Sequence, residues 1–313
     1  MLGKVAAALV IATLLMVAAA ALLFWRRPLA VLAWSGRRAL EKSGLHWTKW
    51  PAPAGPQMGF KGGSGPLVVL LHGAGDQAGT WAKVAPGLAR RFTVIALDLA
   101  GHGGSEPKLG PISPRVLVES LDAVLARENS HGGPAILVGN SLGAWIAFLQ
   151  AHRKPGTVAH VVAVDGGPLR GVETGISLFP RNRVEAGKTL SALRDPGSPL
   201  VPGFVLDDVV RHARNGPLPR LAQAAGEMEG FLLEGRLGEV KTPVTLLWGE
   251  SDRLMPLSYA RRVAEALPNA RLTTLPHCGH VPQVECPEAF AAALDHALEN
   301  PPVGPWTAGP PAP

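Results

Sequence analysis

The chain of 313 residues is 47% hydrophobic and 17% charged, and it contains 37 glycines and 30 prolines. This composition provides a large apolar core, excludes a long coiled coil and falls short of low-complexity sequence. The length suits one large α/β domain or two ordinary ones. Two cysteines exclude a disulfide-rich scaffold, and ten histidines without an HExxH motif predict no metal site.

The N-terminal segment is long and apolar enough to cross a bilayer. Between Val5 and Trp25 the only polar residue is Thr13, and at 1.5 Å per residue this run gives about 31 Å of helix. A cleaved signal peptide is the alternative, but this run is longer than the apolar part of a signal peptide. We therefore predict an uncleaved membrane anchor at residues 1–27. Basic residues cluster after the run, so the positive-inside rule predicts the following domain on the cytoplasmic face.

Residues 28–59 combine basic with aromatic side chains, among them Arg37, Arg38, Trp34 and Trp47. We predict a juxtamembrane linker, of a composition suited to lie along anionic headgroups. Because much of the positive excess (+6 overall) adjoins the apolar segment, we expect a membrane and no nucleic acid as partner.

Apolar runs alternate with helical patterns over residues 60–299. Most runs are continuously apolar, which predicts a mostly parallel, doubly wound α/β sheet covered on both faces. A helical pattern interrupted by prolines, at about 167–238, predicts a cap inserted between two strands. The proline-rich residues 300–313 predict a disordered tail. The predicted strands are Leu67–Leu71, Phe92–Leu97, Ala135–Val138, His160–Val164, Val244–Trp248 and Arg271–Leu275. The predicted helices include Pro114–Glu128, Leu142–His152, Ser258–Leu267 and Pro287–Leu298.

A nucleophile candidate follows the third of these strands. Gly139-Asn140-Ser141-Leu142-Gly143 is a G-x-S-x-G pentad between a buried strand and a helix. A sharp strand–serine–helix turn needs small residues on both sides of the serine, because its backbone is strained and crowded. The pattern predicts that Ser141 stands at a helix N-terminus, where developing negative charge is stabilised.

A serine nucleophile needs a base and a carboxylate, which in this architecture follow it in the order acid, histidine. The strand ending at Gly249 leads into Glu250-Ser251-Asp252, and the next strand leads into a loop with His277 and His280. Both candidates lie past the C-terminal ends of strands, where ligands bind in open α/β sheets. We predict Asp252 as the acid and His280 as the base.

The joint pattern resembles the α/β-hydrolase superfamily, in particular membrane-anchored members related to monoacylglycerol lipases and esterases. Matching motifs are His72-Gly73 after a strand, D-x-x-G-H-G-x-S from Asp98 to Ser105, the elbow, the G-x-x-D turn and the Gly-His-x-Pro loop. The resemblance implies an oxyanion hole formed by the backbone N–H groups of Ala74 and Leu142. It also implies that His72 and His102 support loops.

Several alternatives remain at individual positions. Asp165, at the end of another strand, is where some members of the superfamily place the acid, and Glu250 would require a shorter turn. His277 competes with His280 for the role of base. Cys278 is expected to be a reduced packing residue, although its position beside the histidine also suits a reactive thiol.

The predicted function is cofactor-independent hydrolysis of carboxylic esters, with a small-molecule or lipid-like ester as substrate. Because the Gly-Asn-Ser elbow also resembles that of carbon–carbon bond hydrolases acting on ring-cleavage products, this activity is an alternative. A non-enzymatic binding protein is another. The loop Gly73 to Ala78 fits G-x-G-x-x-A, which suggests a dinucleotide-binding oxidoreductase.

Overall fold

A computed structural model describes residues 2–129, 133–304 and 306 of the chain. An eight-stranded sheet in the order β1-β2-β4-β3-β5-β6-β7-β8 forms its centre. Strands β1 and β2 are antiparallel to their neighbours, and β3 to β8 pair in parallel. The strands are β1 (His46–Trp50), β2 (Gln57–Gly63), β3 (Leu67–Leu71), β4 (Thr93–Leu97), β5 (Ala135–Asn140), β6 (Val158–Val164), β7 (Val244–Gly249) and β8 (Ala270–Leu275).

Helices cover both faces of this sheet. One apolar layer lies between the sheet and α4, α5 and α10, and the other lies between the sheet and α2, α3 and α12. Burial on both sides explains why β3 and β7 are apolar along their whole length. The helices are α1 (Leu2–Arg26), α2 (Pro28–Lys42), α3 (Ala85–Leu88), α4 (Pro114–Glu128), α5 (Leu142–Arg153), α6 (Arg183–Leu193), α7 (Gly203–Asn215), α8 (Pro217–Gln223), α9 (Ala225–Met228), α10 (Leu257–Ala266), α11 (Pro282–Glu285) and α12 (Pro287–Glu299).

The prediction of a mostly parallel, doubly wound sheet is confirmed. Each of the six predicted strands is present, with ends shifted by no more than two residues, and the four predicted helices named above are present with similar bounds. The helices α6 to α9 occupy the predicted cap region between β6 and β7.

Residues 28–59 differ from the predicted linker. They form α2, β1 and the start of β2, so the sheet begins at His46 and not after residue 59. Some of the apolar side chains in this range pack in the core, since Leu40, Leu45 and Trp50 are buried, whereas Leu32 and Trp34 are exposed. Antiparallel pairing of β2 with β4 then attaches the segment to the sheet.

Helix α1 stands apart from the folded domain. Its described side chains are exposed although almost all are apolar. The helix is long and apolar enough to cross a membrane, and a signal sequence can have the same length and composition. Its C-terminal end meets the cap, where the rings of Phe24 and Phe204 are 5.8 Å apart. Just beyond it, Leu29 N–H donates to Asp208 on α7 at 3.0 Å.

The described part of the predicted tail follows α12. Gly304 N–H donates to Asn269 Oδ1, and Gly304 O accepts from Ala270 N–H at the start of β8. Trp306 packs partly buried against the core. The rest of the predicted tail lies outside the described residues.

Candidate active site

Ser141 occupies the sharp turn between β5 and α5. Its backbone has φ +54° and ψ −113°, a combination that costs energy for a non-glycine residue. Three glycines give the turn the space it needs. A Cβ on Gly139 would lie 2.4 Å from Gly143, one on Gly143 would lie 2.2 Å from Leu71 O, and one on Gly166 would lie 2.5 Å from Ser141 O. The structure therefore requires the small residues on both sides of the serine.

Asn140, inside the elbow motif, joins the elbow to the histidine loop. Its Nδ2 donates to His280 O at 2.8 Å and to Val164 O at 3.2 Å, and its Oδ1 accepts from Gln283 Nε2 at 3.3 Å. All these groups are buried. Asn140 is part of the elbow motif without a role predicted from the sequence, and no sequence pattern points to Gln283.

His280 and Asp252 form a buried pair. The 2.7 Å contact joins His280 Nδ1 and Asp252 Oδ2, and both side chains are almost completely shielded from solvent. The other oxygen, Asp252 Oδ1, accepts from the amides of Leu254 at 2.8 Å and Met255 at 2.9 Å. The carboxylate is thus oriented by its own turn and aimed at the imidazole.

The loops that carry this pair are bonded to each other and to the cap. Ser251 N–H donates to Cys278 O at 2.9 Å, and a Cβ on Gly249 would lie 2.2 Å from Gly279 O. From the cap, Leu193 O at the end of α6 accepts from His280 N–H at 2.8 Å. No sequence pattern identified Leu193 as a support for the histidine loop.

Ser141 and His280 lie on adjacent loops that Asn140 connects. Within the described residues, Ser141 Oγ forms no hydrogen bond with His280 Nε2. Because Nδ1 faces Asp252, Nε2 is the ring nitrogen left to accept a proton. This nitrogen can serve as a general base for a hydroxyl that comes within hydrogen-bonding distance of it.

Asp165 lies beside the same carboxylate at the end of β6. Its Oδ1 accepts from Gly249 N–H at 2.8 Å. Its Oδ2 is buried and has no hydrogen-bond partner among the described residues. Burial, followed by the nearby charge of Asp252, raises the pKa of Asp165 well above its usual value. The surroundings of Asp165 therefore disfavour its ionised form, whereas Asp252 faces the imidazole of His280.

The remaining alternatives are placed elsewhere. Glu250 Oε1 accepts from Thr274 Oγ1 at 2.7 Å at an exposed position. His277 is exposed and has φ +57°, whereas His280 is buried against Asp252. Of the candidates considered, the structure pairs His280 with Asp252.

One predicted oxyanion donor follows Ser141 in the chain, and the other belongs to the loop after β3. Leu142 is the first residue of α5, where an amide has no acceptor within its own helix. Ala74 follows Gly73, whose Cβ position would lie 3.4 Å from Ser141 Cβ. The loop after β3 therefore passes directly against the serine.

His72 and His102 are buried and support this region. His72 Nδ1–H donates to Gly73 O at 2.7 Å, and its Nε2 accepts from Leu99 N–H at 3.0 Å, which fixes the neutral tautomer. Burial lowers the pKa of His72 to about 4, and burial with the neighbouring His72 lowers the pKa of His102 to about 3. Neither ring can be a charged group at neutral pH.

Cys278 and Cys286 form a disulfide. The expectation that Cys278 is a reduced packing residue is wrong for this structure, because the histidine loop and α11 fold back until the two Cα atoms are 5.9 Å apart. The closed loop contains His280. Within it, Glu285 accepts from Gly279 N–H at 2.6 Å and from Asp195 N–H of the cap at 3.0 Å.

The loop Gly73 to Ala78 does not fit a dinucleotide. A 3-10 turn of four residues, Ala78–Trp81, follows it in place of the long helix whose N-terminus would face a pyrophosphate. Asp98, the candidate for the ribose, already accepts from the amides of Ala78 and Gly104. Among the described residues no group of three or more metal-ligating side chains is found.

Known proteins resemble most of the chain. Residues 68–293 match the Alpha/beta hydrolase family. A pimeloyl-[acyl-carrier protein] methyl ester esterase of Chromobacterium violaceum is 34% identical over 76% of this chain and 96% of its own. A 2-hydroxy-6-oxononadienedioate/2-hydroxy-6-oxononatrienedioate hydrolase of Cupriavidus pinatubonensis is 30% identical over 76% of this chain and 89% of its own.

Solved structures agree with the fold. The structure of a membrane phospholipase A, described as a bacterial virulence factor, has a TM-score of 0.74 and 25% identity, and covers 93% of this chain and 97% of its own. A structure from Acinetobacter baumannii, named as that of a putative lipase, has a TM-score of 0.72 and 20% identity, and covers 86% of this chain and 96% of its own. With the fold, the sequence match and the strained serine turn together, the chain belongs to the alpha/beta hydrolase family.

Proposed function

We propose that the chain is a membrane-anchored serine hydrolase that cleaves carboxylic esters, with monoacylglycerols or similar lipids as substrates. The observation that carries the proposal is the strained Ser141 turn joined through Asn140 to the buried His280–Asp252 pair. Each part has a distinct task in acyl transfer, and no cofactor is needed for any of them.

In the first half of the reaction, Ser141 Oγ attacks the ester carbonyl and His280 Nε2 takes its proton. Asp252 holds the Nδ1–H tautomer and stabilises the imidazolium that forms. Charge develops on the carbonyl oxygen, and the amides of Ala74 and Leu142 are the donors that we assign to it. The alcohol leaves with the proton from His280, and the acyl group remains on Ser141.

In the second half, His280 removes a proton from water, which attacks the acyl-enzyme through the same oxyanion site. The acid is released and Ser141 regains its proton. The reaction therefore consumes one water per ester, and all proton transfers pass through one imidazole nitrogen.

The position of the cap supports a lipid substrate. The rings of Phe24 on α1 and Phe204 on α7 are in contact, so the cap adjoins the end of the candidate anchor. On the next cap helix, α8, Leu218 lies 3.4 Å from the Cβ position of Gly75, in the loop beside Ser141. A substrate dissolved in the bilayer would reach such a site by lateral diffusion at a high effective concentration. The likeness to a membrane phospholipase A supports the same interpretation.

Hydrolysis of a carbon–carbon bond is the second candidate. The Cupriavidus relative named above is by its name a hydrolase of 2-hydroxy-6-oxononadienedioate and 2-hydroxy-6-oxononatrienedioate, and it matches this chain at 30% identity. A soluble ring-cleavage product would gain nothing from an anchor, which is why we prefer the ester lipid.

The disulfide bears on which side of the membrane the domain occupies. The sequence predicts the cytoplasmic face, whereas disulfides persist in oxidising compartments. Of the basic residues behind the prediction, Arg37 is also engaged within the fold, since it pairs with the buried Asp98. We therefore propose the oxidising face. A C-terminal alkaline phosphatase fusion should be active, and fluorescence of a C-terminal green fluorescent protein fusion would instead support the cytoplasmic face.

The substrate is tested with the full chain in detergent micelles. Hydrolysis is measured for esters from acetyl to long-chain acyl and for a monoacylglycerol, with Ser141→Ala as the control that should lose nearly all turnover while staying folded. We expect a preference for medium or long chains. Short-chain preference, or serine labelling without ester turnover, would contradict the lipid proposal and favour carbon–carbon hydrolysis, measured on a ring-cleavage product. Activity retained in Ser141→Ala would contradict the serine mechanism itself.

A further inference from the structure

Arg37 extends from the juxtamembrane helix α2 into the loop that follows β3. Its Nη2 is 2.7 Å from Asp98 Oδ2, and its Nε donates to Gln77 Oε1 at 2.8 Å. The guanidinium also lies over the ring of Trp47 at 4.9 Å from the ring centroid. One side chain of α2 thus contacts the residue that follows β4, a residue of β1 and the loop after β3.

Asp98 is the centre of this arrangement and is completely buried. Its Oδ1 accepts from Ala78 N–H at 2.7 Å, and its Oδ2 accepts from Gly104 N–H at 2.6 Å as well as from Arg37. A buried carboxylate is costly unless it is paired and hydrogen-bonded. Among the described residues Arg37 is the only cation in contact with it. Removing Arg37 would therefore leave the carboxylate to be stabilised by two amides alone.

The fold leaves space for this contact by close approach of backbones. A Cβ on Gly36 would lie 2.6 Å from Gly79 O, so α2 can pack directly on the 3-10 turn at Ala78–Trp81. Gly103, at φ +50°, would place a Cβ 2.2 Å from Asp98 and 2.6 Å from Arg37. Glycines at both positions are needed for the guanidinium to reach the carboxylate.

The loop held by Arg37 is the one that carries Ala74. At its start, Gly73 is fixed by His72 and lies against Ser141. At its end, Gln77 is held by Arg37, and Ala78 is held by Asp98. Only three residues separate Gly73 from Gln77, so a shift of Gln77 would change the direction of the Ala74 amide.

We propose that Arg37 is a positioning residue, which orients the Ala74 amide for the oxyanion through Gln77 and Asp98. Since only Arg27 separates α1 from α2, the proposal makes transition-state stabilisation depend on how the segment after the candidate anchor is docked. This inference rests on the proposed serine hydrolase function. A misplacement of about 1 Å can cost on the order of 10²-fold in rate, so the contact is sufficient to control activity.

The test compares Arg37→Gln with Arg38→Gln in the full-length protein in detergent micelles. Arg38 is the next residue on α2 and pairs with Glu41 at an exposed site, so it is a matched control. For Arg37→Gln we expect kcat on a p-nitrophenyl ester to fall about 10- to 100-fold, with KM changed less than about twofold. This loss of kcat is smaller than the ~10²–10³-fold loss expected when an oxyanion donor is removed outright. Arg38→Gln should stay within about twofold of the wild type.

A fluorophosphonate separates positioning from a purely structural role. Its phosphoryl oxygen occupies the oxyanion site as it labels Ser141, so the labelling rate constant should fall together with kcat, and the final labelling stoichiometry counts the intact sites. A lower stoichiometry with an unchanged rate constant per site would mean that Arg37 only stabilises the fold, and would overturn the proposal.

Two further variants keep the test decisive if Arg37→Gln folds poorly. Arg37→Lys retains the charge beside Asp98 but cannot reproduce the fork that also binds Gln77, so it should recover part of the rate. Gln77→Ala leaves the ion pair intact and should slow labelling by itself. Wild-type rates in both would overturn the proposal. Ester turnover absent from the wild type despite rapid labelling would contradict the proposed ester substrate and leave the labelling comparison valid.

Discussion

Replacing Asp252 by asparagine should nearly abolish activity, because the structure determines which way the amide must face. Asp252 Oδ1 accepts from the amides of Leu254 and Met255, so the amide oxygen of the variant must take that position. The amide nitrogen then faces His280 Nδ1, where the carboxylate oxygen stood at 2.7 Å. An NH₂ group donates, so Nδ1 must accept and the ring proton moves to Nε2.

The expected loss follows from this change of tautomer. With a proton on Nε2, His280 cannot receive the proton of Ser141, and the charge that would stabilise the imidazolium is also gone. Loss of the orienting carboxylate in serine triads lowers kcat by about 10⁴-fold, which corresponds to ~5.5 kcal/mol of transition-state stabilisation. We expect Asp252→Asn to approach this value without a large change in KM.

Asp165→Asn is the matched control, because it makes the same substitution at the neighbouring buried carboxyl, whose raised pKa disfavours the charge that asparagine lacks. Its amide oxygen can accept from Gly249 N–H as Asp165 Oδ1 does, so we expect a loss of less than about tenfold. Turnover of a p-nitrophenyl ester is measured at neutral pH for both variants, with thermal unfolding to establish that each is folded. If Asp165→Asn loses as much activity as Asp252→Asn, or more, the assignment of the acid is refuted.

Three further predictions concern stability. Cys278→Ser with Cys286→Ser should lower the free energy of unfolding by about 2.5 kcal/mol, from the entropy of the closed loop, and reductant should lower the urea midpoint of the wild type but not of the variant. Arg220→Ala should cost ~2 kcal/mol, because its guanidinium donates to the carbonyls of Gly101, Pro107, Gly110 and Leu109; an unchanged melting temperature would contradict this. The pKa of His72 falls from 6.5 to about 4 on folding. The stability that its neutral ring contributes is therefore complete above pH 6.5 and is lost as the pH falls toward 4, which lowers the free energy of unfolding by ~3 kcal/mol. Urea unfolding should show a smaller decrease between pH 7 and pH 4 for His72→Gln than for the wild type.

The apolar pattern of the chain predicted the central sheet because strands buried on both faces must be apolar along their length. Six strands were found in this way, with ends shifted by no more than two residues. The antiparallel strands β1 and β2 escaped the pattern because they are mixed in polarity, β1 being rich in aromatic residues and β2 in glycine. Strand β2 is held by pairing with β4, which is distant in sequence, and β1 pairs in turn with β2.

Part of the candidate site could likewise be predicted from the sequence. Small residues around Ser141, and polar residues after β7 and β8, are local features with a physical reason, and they led to His280 and Asp252. The sequence left Asp165 open as the acid, because a strand end alone does not show which carboxylate faces the imidazole. The contact of Asp252 Oδ2 with His280 Nδ1, and the two amides that orient Asp252 Oδ1, distinguish it from Asp165.

By itself the sequence determined the apolar N-terminal segment, the parallel strands and the order of the site residues, since each depends on residues close together in the chain. Only the tertiary structure decided that Cys278 pairs with Cys286, that Asn140 joins the elbow to the histidine loop, and that Arg37 reaches Asp98. These contacts link residues between 8 and 140 positions apart. Their formation depends on how whole helices and strands pack, which no local pattern of polarity specifies.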